Sequence, residues 1–183
     1  MKTPFTVTIF GAESTGKTTL SQQLADALGT TWKHEFARDY LEQTGNGVTT
    51  RSMFDIWFGQ RTLQQKLSAN EIVIQDTDLF STVGYWQLPH VEPEIGRCPV
   101  PLIEDACRLQ SDLYIITTST IPFEHDPLRF GGDRRESEDS YWIDICERYE
   151  LPYIVLSASD AQARLTQSLQ AIKERSNLPC VAS

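Results

Sequence analysis

The chain has 183 residues, enough for one domain with a sizeable core, and its 40% hydrophobic and 22% charged residues are ordinary for a soluble globular protein. Sixteen Lys and Arg against 25 Asp and Glu give a formal net charge of −9, which argues against general affinity for nucleic acid or for an anionic membrane. Three scattered histidines, and four cysteines (Cys98, Cys107, Cys146, Cys180) without C-x-x-C spacing, disfavour a zinc site and suit reduced thiols in a cytoplasmic compartment.

No apolar run reaches membrane-spanning length, and the first residues lack the pattern of a signal peptide. Repeats, low-complexity tracts and Gly/Ser linkers are absent. The expected organisation is a single domain over residues 1–175, with residues 176–183 as a C-terminal tail.

The β-branched and aromatic run from Phe5 to Phe10 predicts a buried strand. Gly11-Ala12-Glu13-Ser14-Thr15-Gly16-Lys17-Thr18 follows directly. Leu20, Leu24, Ala27 and Leu28 then recur at helical spacing until Gly29 stops the helix. Strand, glycine loop and helix in this order turn G-x-x-x-x-G-K-[ST] into a phosphate cradle, because the glycines let successive backbone N–H groups face an anion at the helix N-terminus. Residues 11–18, with Thr19 beside them, are therefore expected to bind a nucleoside triphosphate. Lys17 would reach the β- and γ-phosphates, and the Thr18 hydroxyl would ligand Mg²⁺.

Thr30 to Glu35 predicts a second strand, and Glu35-Phe36-Ala37-Arg38-Asp39-Tyr40 begins a short helix reaching about Gln43. Ligands of an open parallel sheet gather at the carboxyl ends of its strands, so Glu35 and Arg38 are candidates for chemistry. An i,i+3 surface ion pair is the alternative. Residues Thr50 to Ala69 predict one long helix with Trp57 and Phe58 in the core; Gln60 and Arg61 sit mid-helix, where spacing alone offers a solvated face and the family resemblance below sets that reading aside. Glu71 to Gln75 predicts the third strand, ended by Asp76-Thr77-Asp78. Asp76 is placed to hold Mg²⁺ or to accept a proton from a nucleophile. Asp78 suits either the metal or the N-cap of the helix that starts at Leu79.

That helix runs to about Gln87, and the proline-rich stretch Leu88 to Pro101 predicts a loop over the site. A helix over about Leu102 to Gln110 and a fourth strand over Leu113 to Thr118 follow. Residues of about 121–137 are polar, carry Gly131-Gly132, and concentrate Arg129, Arg134 and Arg135. They predict a lid whose arginines close over phosphates. A helix from Ser140 to Tyr149, a fifth strand from Tyr153 to Leu156 and a helix from Ala161 to about Glu174 complete the chain. The loop Ser157 to Asp160 suits contact with an adenine base or a plain helix cap.

Alternating strands and helices require parallel pairing with right-handed crossovers. The fold class is α/β: a three-layer P-loop NTPase fold with a five-stranded parallel sheet, like nucleoside and nucleotide kinases. The P-loop, Glu35-Phe36-Ala37-Arg38-Asp39-Tyr40, Phe58-Gly59-Gln60-Arg61, Ile74-Gln75-Asp76-Thr77-Asp78 and Asp126-Pro127-Leu128-Arg129 together resemble the ribosylnicotinamide kinase domain of NadR-type NAD-biosynthesis proteins. The resemblance runs from about Thr6 to Ile172 and departs from the family pattern between Trp86 and Pro101.

It implies ATP- and Mg²⁺-dependent phosphorylation of the 5′-hydroxyl of nicotinamide riboside. Asp76 or Glu35 would be the base, Arg38 a positioning group, and Arg129, Arg134 and Arg135 the lid. Other nucleosides or small metabolites as acceptor, or a regulatory P-loop ATPase, are the alternatives; a GTPase would carry an N-K-x-D motif, which this sequence lacks. The partner expected is a small-molecule nucleoside, without nucleic acid or membrane, and with homo-oligomerisation left open.

Overall fold

Each strand of the chain feeds a helix, so successive strands cannot turn back on one another and must lie parallel. A computed structural model describes residues 3–45, 47–66, 71–120 and 135–176, and the side chains of all of these except residues 135–138. The elements are β1 (Phe5–Gly11), α1 (Lys17–Leu28), β2 (Trp32–Lys33), α2 (Phe36–Thr44), α3 (Thr50–Gln65), β3 (Ile72–Asp76), α4 (Leu79–Trp86), α5 (Glu92–Ile95), α6 (Val100–Arg108), β4 (Leu113–Thr117), α7 (Arg135–Arg148), β5 (Tyr153–Val155) and α8 (Ala161–Ser176). The strands form one sheet in the order β2-β3-β1-β4-β5, with every neighbouring pair parallel. This is the three-layer, five-stranded architecture that the sequence predicts.

The period-two alternation of the central strands separates two cores. Val7 and Ile9 of β1, Ile72 and Ile74 of β3, and Leu113 and Ile115 of β4 pack with Leu20 and Leu24 of α1 and Ile172 of α8. Phe10, Tyr114 and Ile116 point the other way, into an aromatic core with Trp57 of α3, Phe80 and Trp86 of α4, and Trp142 of α7. Both strand faces are buried, which is why β3 and β4 read as almost continuous apolar runs. Among the described residues, no helix is long and apolar enough to cross a membrane.

Two boundaries differ from expectation for a physical reason. The proline-rich stretch is not one loop: it contains α5, and α6 already starts at Val100. Pro93 and Pro101 stand in the first turns of these helices, where a proline's missing N–H is not needed and its φ is already helical. Helix α7 begins at Arg135, ahead of the expected Ser140.

Helix α3 starts on a reciprocal cap, with Ser52 N–H donating to the Thr49 hydroxyl and Thr49 N–H donating to the Ser52 hydroxyl. It meets α2 at Gly59, where the ring of Phe36 lies flush on the backbone: a Cβ there would fall 2.0 Å from Phe36 Cζ. Gly59→Ala therefore exchanges a helix-propensity gain of about 1 kcal/mol for overpacking of about 1–3 kcal/mol. The expected outcome is a modest net loss, read as a fall of a few degrees in melting temperature by calorimetry. Unchanged or raised stability would show that Phe36 swings aside without cost.

Candidate active site

The loop between β1 and α1 is shaped by its glycines. Gly11 has φ 128°, and a Cβ on it would fall 2.4 Å from the Thr117 carbonyl oxygen. Gly16, with φ 81°, sits at the N-cap of α1 in the left-handed region, which glycine adopts freely. Ser14 is left-handed too, at φ 55°. Such backbone in a non-glycine residue costs energy and collects at functional sites.

The loop is pinned from inside by Thr15, whose hydroxyl lies 2.8 Å from the Ala12 carbonyl and 2.6 Å from the Thr117 hydroxyl. Lys17 is buried, and its ammonium donates to the same Ala12 carbonyl at 2.6 Å. The ammonium thus lies against the loop that would cradle the phosphates.

Strands β1 and β3 are direct neighbours, with Ile9 opposite Asp76, so Asp76 emerges beside the glycine loop. The carboxylate is 1% exposed, and the Thr18 hydroxyl donates to its Oδ2 at 2.6 Å. A hydroxyl and a carboxylate oxygen in contact at a helix N-terminus form the hard-oxygen donor set that Mg²⁺ takes, so these residues fit the ion. The next residue, Thr77, is left-handed at φ 64°, a strained setting for a β-branched side chain.

Asp78 lies on a different path. Its Oδ1 accepts from the N–H groups of Phe80 and Ser81, as an N-cap, and its Oδ2 accepts from the Tyr114 hydroxyl at 2.6 Å. Burial pushes its pKa up to about 6 against these hydrogen bonds, which favour the charged form. Of the two sequence-derived roles for Asp78, the helix cap is the one its hydrogen bonds express.

One cavity brings part of the expected set together, Thr18, Asp76 and Asp78 not being among the residues that line it. Glu13, Lys17, Glu35, Arg38, Gln60 and Thr77 line it, continued by Ser81 and Thr82 of α4. Its other wall is apolar, with Leu41, Val48, Met53, Ile56, Tyr85 and Val91. Glu35 stands at the N-cap position of α2, and its side chain makes no cap hydrogen bond. Arg38 pairs with Glu42, one helical turn on, at 3.0 Å.

Gln60 is buried, so the solvated face that spacing alone offered is not the one it takes. Its Oε1 accepts from Phe36 N–H at 3.2 Å and its Nε2 reaches the Thr77 carbonyl at 3.5 Å. It thereby links the start of α2 to the end of β3. Arg61 instead pairs with Asp105 at 3.4 Å. Trp57 is buried as expected, whereas Phe58 is half exposed. Arg129 and Arg134, and most of the expected lid, lie outside the described residues; Arg135 opens α7, and its side chain is likewise outside them.

Sequence reasoning missed Arg164. This α8 residue is buried and donates to the carbonyls of Ala158, Thr15 and Thr118 and to the Thr120 hydroxyl, at 2.7–2.9 Å. It ties the glycine loop to the ends of β4 and β5, and no motif marks it. The adjacent Asp160 accepts from Ala163 N–H at 2.8 Å, as a helix cap does. Arg164→Ala takes these donors from the buried Thr15 and Thr118 carbonyls and is expected to cost roughly 2–3 kcal/mol. Arg164→Lys should recover little, because an ammonium cannot span the same fork. Denaturant unfolding of both variants checks this, and a fully stable lysine variant would contradict it.

A family model described as an AAA domain matches residues 6–164. The chain belongs to that family. It is 27% identical over 179 residues to the trifunctional NAD biosynthesis/regulator protein NadR of Escherichia coli (strain K12), a match covering 92% of this chain and 42% of that protein. The chain therefore spans less than half the length of this curated relative. Among solved structures, NadR protein in complex with NR superposes with a TM-score of 0.77 at 20% identity, covering 98% of this chain and 53% of that one. Thymidylate kinase from Ehrlichia chaffeensis superposes at 0.66 with 16% identity, covering 93% and 100%. At these identities the likeness of the two structures is one of fold.

Proposed function

We propose that the protein transfers the γ-phosphoryl group of ATP to the 5′-hydroxyl of nicotinamide riboside, giving nicotinamide mononucleotide. The observation that carries the reading is the juxtaposition of the phosphate loop with a cavity of two characters. Lys17 and Thr77 are among its polar lining, the Thr18–Asp76 pair adjoins these two residues in the chain, and Met53, Ile56 and Tyr85 belong to its apolar wall. A nucleoside placed there turns its sugar to the phosphates and its base to the apolar wall. The choice of nicotinamide comes from the likeness to NadR.

In-line transfer asks the protein for positioning and for charge stabilisation more than for covalent chemistry. Backbone N–H groups of residues 11–18, with the N-terminus of α1, receive the phosphates. Lys17 leaves the Ala12 carbonyl for the β- and γ-phosphate oxygens. Thr18 and Asp76 would hold Mg²⁺, which when bound neutralises charge on the transferring group. Asp76, or Glu35 from the opposite wall, takes the proton of the attacking hydroxyl. Arg38, at the cavity wall, orients the acceptor.

The compartment fitting this reading is the cytoplasm, and the partners are small molecules, without nucleic acid or membrane. The test is product identification after incubating the purified protein with ATP, Mg²⁺ and a panel of ribosides. Nicotinamide mononucleotide is expected to form fastest. ATP hydrolysis indifferent to every riboside would favour a P-loop ATPase switch, and faster transfer to another nucleoside would reassign the acceptor.

A further inference from the structure

Glu13 is an unexpected residue for a phosphate cradle. In a loop of this kind the backbone N–H groups serve the phosphates, and a carboxylate close by repels them. The Glu13 side chain lines the cavity shared with Glu35, Arg38 and Gln60. Its Oε2 is buried and has no hydrogen-bond partner among the described residues. An ionised carboxylate only accepts hydrogen bonds, and a buried acceptor left without a donor is costly. The position thus asks for a ligand that brings a donor.

The shape of the cavity says which donor. The acceptor's reacting oxygen has to lie near Lys17 and Asp76, and a base ring finds apolar contact at the wall that includes Met53, Ile56 and Tyr85. Between those ends lies the sugar, whose secondary hydroxyls are the O–H donors available to a carboxylate rooted in the glycine loop. We propose that Glu13 Oε2 accepts a hydrogen bond from the 2′- or 3′-hydroxyl of the acceptor's ribose, and that this contact selects ribonucleosides over their deoxy counterparts. A site built to bond a hydroxyl rejects the analogue lacking it strongly, because its own polar group is then stranded. The inference rests on the kinase reading above and assigns the Glu13 side chain to the acceptor, its backbone remaining part of the phosphate loop.

The experiment compares wild type, Glu13→Ala and Glu13→Gln with nicotinamide riboside and its 2′-deoxy and 3′-deoxy analogues, measuring kcat and KM for acceptor and for ATP. Wild type is expected to favour the full riboside over one deoxy analogue by at least about tenfold in kcat/KM, the scale of one net hydrogen bond. Glu13→Ala should raise the riboside KM by a similar factor and erase the preference, with the KM for ATP within about twofold. Glu13→Gln, whose amide oxygen still accepts, should fall between.

Discrimination that persists in Glu13→Ala overturns the proposal. So does a variant whose ATP or Mg²⁺ dependence shifts while its acceptor KM does not. Binding of an ATP analogue by calorimetry verifies that each variant is folded. A wild-type protein that phosphorylates ribosides without distinguishing the deoxy analogues defeats this inference alone. One that neither binds nor phosphorylates any riboside defeats the kinase reading, and this inference with it.

Discussion

Lys17→Ala is expected to lower phosphoryl transfer by at least about a hundredfold while leaving the fold intact. A positioned charge that meets developing negative charge is worth roughly 3 kcal/mol or more, and each 1.4 kcal/mol or so is tenfold in rate. The structure adds a reason to expect little structural damage. Lys17 is buried and its ammonium donates to the Ala12 carbonyl, but that carbonyl also accepts from the Thr15 hydroxyl at 2.8 Å. Removal of the lysine therefore leaves the oxygen with a donor, and Thr15, Thr117 and Arg164 still hold the loop. Circular dichroism and thermal melting should match wild type within a few degrees as turnover collapses. Turnover close to wild type would take the glycine loop out of the mechanism.

The division between what was legible in the chain and what was not follows the range of the interactions. Residues 5–18 declare themselves because the constraint is local: a strand, a loop that needs glycine at Gly11 and Gly16, and a helix that starts at once. Asp76 was legible because an apolar strand ends on it, and strand ends in a parallel sheet converge. Gln60 was marked by the family resemblance and not by periodicity, since a glutamine one turn from Trp57 reads as surface until α2 is known to lie across it, with Phe36 seated on Gly59. Arg164 was hidden more thoroughly, because its partners Thr15, Thr118 and Ala158 come from three separate stretches. Helix periodicity reports that a position is buried, but not that a guanidinium is the group required there. The prolines misled in the opposite direction: Pro93 and Pro101 read as loop, yet each is at home in a first helical turn.

Asp76→Asn should separate the transfer step from nucleotide binding. The substitution keeps size and one acceptor oxygen, so the Thr18 hydroxyl, now 2.6 Å from Oδ2, can still donate to position 76 and the start of α1 stays in register with β3. What is lost is the negative charge and the basicity of a carboxylate that is 1% exposed. If Asp76 takes the proton of the attacking hydroxyl, turnover falls by about a hundredfold, within the usual range for loss of a general base, and ATP affinity changes little. If it chiefly organises the metal, raised Mg²⁺ restores part of the rate, because the defect is then one of occupancy.

Glu35→Gln supplies the counterpart, since Glu35 lines the same cavity from the start of α2. The carboxylate whose replacement lowers the transfer step while nucleotide affinity and Mg²⁺ dependence stay unchanged is the base. Turnover and nucleotide affinity measured across pH and Mg²⁺ for both variants decide between them. An Asp76→Asn enzyme with wild-type turnover at every Mg²⁺ concentration would remove the end of β3 from the chemistry and leave Glu35 to account for the proton.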